Sequence, residues 1–146
     1  MYNGLLHAHS GLRWILLIAL IFAVVTAIVR WKKGSGFSVG GRVLNLVTMI
    51  STHIQLLLGL VLYFISPNVQ LEGMFDVAKI RFFTLEHFIL MIVAIVLITI
   101  GYGKVKKAEK PKSKNRLTVI YYGIALLLIL ISIPWPFREQ LGGSWF

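Results

Sequence analysis

Four apolar stretches, each about as long as a bilayer is thick when coiled into a helix, restrict the fold of this chain more than any other feature. A helix rises about 1.5 Å per residue and the hydrocarbon core of a membrane measures about 30 Å, so roughly 20 apolar residues cross it. The runs cover about residues 5–29, 43–65, 82–102 and 117–133. They stop at Arg30-Trp31-Lys32-Lys33, Ser66-Pro67-Asn68, Tyr102-Gly103-Lys104 and Pro134-Trp135-Pro136. Proline ends the last run because it lacks a backbone donor and disfavours helix in the residue before it. The alternating ten-residue strands of a membrane β-barrel are missing. The expected fold is therefore all-α, an integral membrane four-helix bundle in which residues 1–146 form one domain. The first run is too long for a signal-peptide core and lacks a basic leader and a small-residue cleavage site, so it is expected to remain in the mature protein.

Composition supports the membrane and narrows the chemistry. Of 146 residues, 58% are hydrophobic and only 14% charged, unlike a water-soluble domain. There is no cysteine, which excludes thiol catalysis, iron–sulfur clusters and c-type haem attachment. The net charge of +10 would suggest nucleic acid in a soluble protein, but its distribution points to lipid and no nucleic-acid partner is expected. Segment 30–42 holds Arg30, Lys32, Lys33 and Arg42, and segment 103–116 holds six lysines and Arg116. The loop 67–81 has only Lys79 and Arg81, offset by Glu72 and Asp76, and the C-terminal tail has Arg138 beside Glu139. Basic loops stay in the cytoplasm, so the N-terminus and the C-terminus are both expected to be extracytoplasmic, in a multi-pass protein of a bacterial inner membrane.

Ionisable and amide side chains inside the runs are costly and hence candidate functional groups. They are His7, His9, Arg13, Asn45, His53, Gln55, Glu86 and His87. Counting from the run ends places His9 at the outer interface, Arg13 just inside it, His87 roughly 8 Å deep and His53 near the midplane. Arg13 and Glu86 fall at similar depth, and an unpaired charge there is expensive. An ion pair between them, or a shared ligand, is expected; the plainer alternative is glue between the first and third helices.

Neutral imidazole in a helical bundle is the usual axial ligand of b-type haem. His87 lies about midway in depth between His53 and His9, so either can be its partner. His53 with His87 is the first choice because both sit within the hydrocarbon; His9 with His87 is the second. Arg13 and Arg81 are placed to meet propionates, Gly59 to admit a flat macrocycle, and Phe82, Phe83 and Phe88 to line it. Each also has a structural explanation: interface arginines snorkel, glycine lets helices approach and phenylalanine fills space. A zinc or copper site needs three or four converging ligands, which the spread of the histidines opposes. A proton relay through His53, Glu86 and His87 is a further alternative.

The segments His7-Ala8-His9-Ser10-Gly11-Leu12-Arg13-Trp14, Thr52-His53-Ile54-Gln55-Leu56-Leu57-Leu58-Gly59 and Arg81-Phe82-Phe83-Thr84-Leu85-Glu86-His87 resemble a family of small four-span bacterial proteins labelled cytochrome b-like. They are more loosely similar to haem A synthase and b561-type cytochromes, whose four-helix units ligate haem near one face. The Glu-x-x-His and His-Arg arrangements of the synthase are not reproduced at Glu86-His87, and the paired histidines needed for two haems are missing. The resemblance thus implies at most one haem b.

Two functions from different classes follow. One is a haem-binding membrane protein or subunit that transfers electrons near the outer membrane face, with a quinone and another membrane protein as partners. The other is a non-catalytic accessory or assembly subunit of a larger membrane complex, its histidines structural.

Overall fold

The computed structural model describes residues 1–143 and residue 145. They form four long helices, α1 (Tyr2–Lys32), α2 (Val39–Ile65), α3 (Ala78–Lys107) and α4 (Pro111–Ser132), each long and apolar enough to cross a membrane. A short 3-10 turn, Glu139–Leu141, follows the last, and no strand occurs among the described residues.

The helices outrun the apolar stretches at most ends. α1 carries Arg30 and Lys32 in its last turn, where cations favour the negative end of the helix dipole and long basic side chains reach water. Segment 103–116, expected as a basic loop, is helical up to Lys107 and again from Pro111 onward, since proline suits the first helical position, where no donor is needed. α3 starts at Ala78, four residues before the predicted boundary, and contains one wide π turn at Phe82–Glu86 immediately before His87. Between α1 and α2, Gly34 turns the chain at φ 65°, and Ser38 caps α2 by accepting from the Gly41 N–H at 3.0 Å.

Successive helices alternate in direction, so both chain ends share one end of the bundle and both basic loops share the other. α1 packs against α2 and α4, and α3 packs against α4, while α2 and α3 touch least. The bundle is a ring with one loose seam.

Its inside and outside reverse the pattern of a soluble protein. Phe64, Leu57, Leu127 and Ile131 are largely exposed, whereas Asn45, Thr48, Thr52, Asn115, Thr118 and Ser132 are buried. In lipid, apolar side chains gain nothing by leaving the surface, and helices associate through close packing and interhelical hydrogen bonds. α1 supplies a row of small residues, Ala19, Ala23 and Ala27, all buried. The apolar core joins α1, α3 and α4 through Leu20, Ile98, Tyr122 and Ile129. Asn45 of α2 donates to the Thr118 hydroxyl at 2.9 Å, and Tyr122 donates to the Asn45 carbonyl at 3.0 Å. Each such bond contributes about 0.6 kcal/mol in a membrane bundle.

α3 and α4 approach closely at Gly101, where a methyl group would lie 2.5 Å from the Tyr121 Cβ. Gly101→Ala is expected to lower stability by about 1–3 kcal/mol through overpacking, read as an earlier unfolding midpoint in dodecyl sulfate titration. An unchanged midpoint would contradict this packing.

Candidate functional site

The site is built by the way α4 ends. In a continuing helix the carbonyls of Leu130 and Ser132 would accept from residues 134 and 136, and both are proline, which has no N–H. The Ile131 carbonyl would accept from Trp135, whose N–H instead reaches the Ile133 carbonyl at 2.9 Å. Three acceptors are thus left over, and buried carbonyls need partners. Side chains supply them. Trp135 Nε1 donates to Leu130 at 2.8 Å, Arg138 Nη1 to Ile131 at 3.0 Å, and His87 Nδ1 to Ser132 at 2.8 Å. A carbonyl only accepts, so the His87 proton sits on Nδ1. Its Nε2 is left with a lone pair, and His87 lines a cavity of about 240 Å³. A backbone carbonyl on the far nitrogen is the usual arrangement for an imidazole that ligates a metal.

His9 meets His87 in that cavity, with ring centroids 6.5 Å apart and planes inclined at 69°. Gly59 of α2 makes room for it: a Cβ there would lie 3.2 Å from the His9 Cε1. The glycine therefore admits the His9 ring, where a macrocycle had been expected. Gln55 Nε2 donates to the His9 carbonyl at 2.8 Å, which ties α2 to α1 at this level. Phe82 and Phe83 pack beside His87, at 5.8 and 6.3 Å between centroids.

His53, the first-choice partner of His87, is elsewhere. Its Nδ1 bonds the Met49 carbonyl of its own helix at 2.8 Å, and its Nε2 lies 3.5 Å from the Thr99 hydroxyl. Thr99 is twelve residues beyond His87 on α3, about 18 Å along the axis. Side chains lean toward the N-terminus of their helix. α1 and α3 run in the same direction, so His9 and His87 lean together; α2 runs the other way, so His53 leans from them toward the basic loops. Depth counted on the backbone does not contain this divergence.

The expected ion pair between Arg13 and Glu86 is also replaced. Glu86 takes Arg81 instead, at 2.7 Å. Five residues separate them, a spacing that the π turn, with its i to i+5 bonding, brings together. Arg13 donates through Nη2 to the Trp145 carbonyl at 2.9 Å. Arg13 still borders the cavity, while Arg81 is engaged with Glu86. His7 is exposed and takes no part. Three enclosed atoms around the cavity, His9 Nδ1, Arg13 Nε and Gln55 Oε1, have no hydrogen-bond partner among the described residues. No three His, Asp or Glu side chains converge there or elsewhere among the described residues, so the ligand set of a typical zinc site is not built.

The residues that sequence reasoning missed are Ser132, whose carbonyl orients His87, and Trp145. The signal for Ser132 was present in the two prolines that follow it. A double-mutant cycle on Arg81 and Glu86 is expected to give a coupling of about 0.2–1 kcal/mol, small because both side chains are about two-fifths exposed. The same cycle on Arg13 and Glu86 is expected to give none; coupling of the second pair above that of the first would contradict the geometry.

No family model matches the chain, and neither curated proteins nor solved structures provide a match.

Proposed function

We propose that the protein is a single-haem, b-type electron-transfer protein or subunit of a bacterial inner membrane, with His87 and His9 as the axial pair. The observation that carries this reading is the spacing of the two imidazoles. The ring centroids of the two imidazoles lie 6.5 Å apart at the cavity, near enough for both side chains to hold one haem iron between them. A haem bound there would supply a one-electron couple.

The chain's own residues support such a group in distinct ways. The Ser132 carbonyl holds His87 in the tautomer whose Nε2 is free to ligate. Gly59 leaves space for His9, and Gln55 fixes the backbone that carries it. Arg13 is the cation beside the cavity, suited to a propionate or to a quinone oxygen. The cavity is smaller than the roughly 300–1,000 Å³ of common ligand sites, so a macrocycle would need α2 and α3, the seam with least packing, to part. In a membrane a seam that parted there would admit a hydrophobic cofactor or quinone from the lipid. The eleven basic residues of the two loops at the opposite end argue that this end faces out of the cytoplasm, where a second membrane protein or a quinone would exchange electrons with it.

The same small cavity favours the second reading, a non-catalytic accessory subunit with structural histidines. An absorption spectrum decides between them. Protein purified from haem-replete cells is expected to show a reduced-minus-oxidised b-type spectrum that His87→Ala and His9→Ala each abolish. His53→Ala is expected to retain it. Wild-type protein without a Soret band would remove the electron-transfer reading and leave the accessory one.

A further inference from the structure

The cavity at His9 and His87 reaches well beyond the two imidazoles. Its wall on α3 includes Lys79, Phe83, His87, Met91 and Ile95, residues four apart that line up along one side of a helix. Ile95 lies 16 residues beyond Lys79, about 24 Å along the axis, with His87 midway. A space of about 240 Å³ against a wall of that length is narrow.

Its two ends differ in chemistry. Toward the chain termini the wall holds Tyr2, Ser66, Asn68 and Lys79, and Arg13 borders it; inward of His87 it is mostly apolar, through Leu56, Met91, Ile95 and Ile129. Thr52 and Gln55, polar residues of the inner half, already donate to the carbonyls of Thr48 and His9. The charge is one-sided as well. Arg13 and Lys79 line the cavity, and no Asp or Glu does. Arg13 donates to the neutral Trp145 carbonyl at 2.9 Å, and neither cation is in an ion pair among the described residues, whereas Arg81 has Glu86. The C-terminal tail draws the two cations to one mouth. A Cβ on Gly142 would approach the Lys79 Nζ to 3.3 Å, and three residues later Trp145 holds Arg13; three residues reach at most about 11 Å. Cations in a membrane protein are costly without a counter-charge, which an anion in the cavity supplies.

We propose that the cavity binds a single-chain carboxylate amphiphile, a free fatty acid of the membrane, with its carboxylate toward Arg13 and Lys79 and its chain along Met91 and Ile95. A guanidinium fork and an ammonium give a carboxylate strong, charge-assisted hydrogen bonds. A quinone accepts hydrogen bonds but brings no counter-charge. A phospholipid brings a second tail, for which so narrow a space has no room, while one acyl chain needs less width than a macrocycle. The proposal shares the cavity of the haem reading but does not depend on its iron.

The test is native mass spectrometry of the full-length protein in maltoside detergent, with palmitate as the probe. Wild type is expected to hold one palmitate per chain, saturably. Hexadecanol, with the same chain and no charge, is expected to bind about tenfold more weakly, the loss to which one charge-assisted hydrogen bond converts. Lys79→Gln and Arg13→Gln are each expected to weaken palmitate several-fold, and Lys104→Gln, at the opposite end of the bundle, to leave it unchanged. Lys79 is in the first turn of α3, outside the packed core, so replacing it does not put the fold at stake. A wild type without saturable palmitate, hexadecanol held as tightly as palmitate, or equal affinity in Lys79→Gln and wild type each overturns the proposal. Dipalmitoyl phosphatidylglycerol held in preference to palmitate would assign the site to a phospholipid and also overturn it. The readout is a bound mass and not a Soret band. Protein that holds palmitate and shows no haem keeps this inference and loses the haem reading; protein with a b-type spectrum and no palmitate does the reverse.

Discussion

The hydrogen bond from His87 to the Ser132 carbonyl is the contact on which the candidate site depends. Hydrocarbon offers no hydrogen bonds, so a membrane helix whose end is buried among its neighbours, as at Ser132, must satisfy its last carbonyls from within the protein. Pro134 and Pro136 make that demand acute by removing two of the donors that a further turn would have provided. Trp135, Arg138 and His87 answer it. The first two are local, but His87 comes from α3, so ending α4 also fixes an imidazole of its neighbour, its tautomer and the direction of its second nitrogen.

Helix direction then selects the partner. Because α1 and α3 run in parallel, their histidines lean the same way and meet; the antiparallel α2 sends His53 to Thr99 instead. What α2 contributes is the absence of a side chain at Gly59 and the amide of Gln55. The π turn before His87 has a related effect on charge, because it aligns Arg81 with Glu86 and so frees Arg13 from the acid it was expected to meet.

The sequence was most legible where the bilayer sets the rule. Four apolar runs, their approximate ends and the all-helical class could be read directly, since span length and helix rise leave few alternatives. The polar residues of the site were also visible, because a histidine or arginine in an apolar run stands out. Their pairing was not. His9 could be distinguished from His53 only through side-chain lean, and Glu86 from its expected partner only through a π turn that α-helical spacing does not anticipate. The helical start at Pro111 was hidden by a run of lysines that resembles a solvated loop. The prolines after Ser132 were read as a stop signal alone, although the carbonyls they release follow from the same chemistry.

Nitrogen-15 magnetic resonance of histidine-labelled protein in lipid nanodiscs tests this most directly, because a protonated ring nitrogen and a bare one resonate far apart, and the His87→Gln spectrum assigns the signals. The account predicts neutral His87 with its proton on Nδ1 and a bare Nε2 in protein without cofactor. A proton on Nε2 with a bare Nδ1 would contradict it, since that tautomer cannot donate to the Ser132 carbonyl.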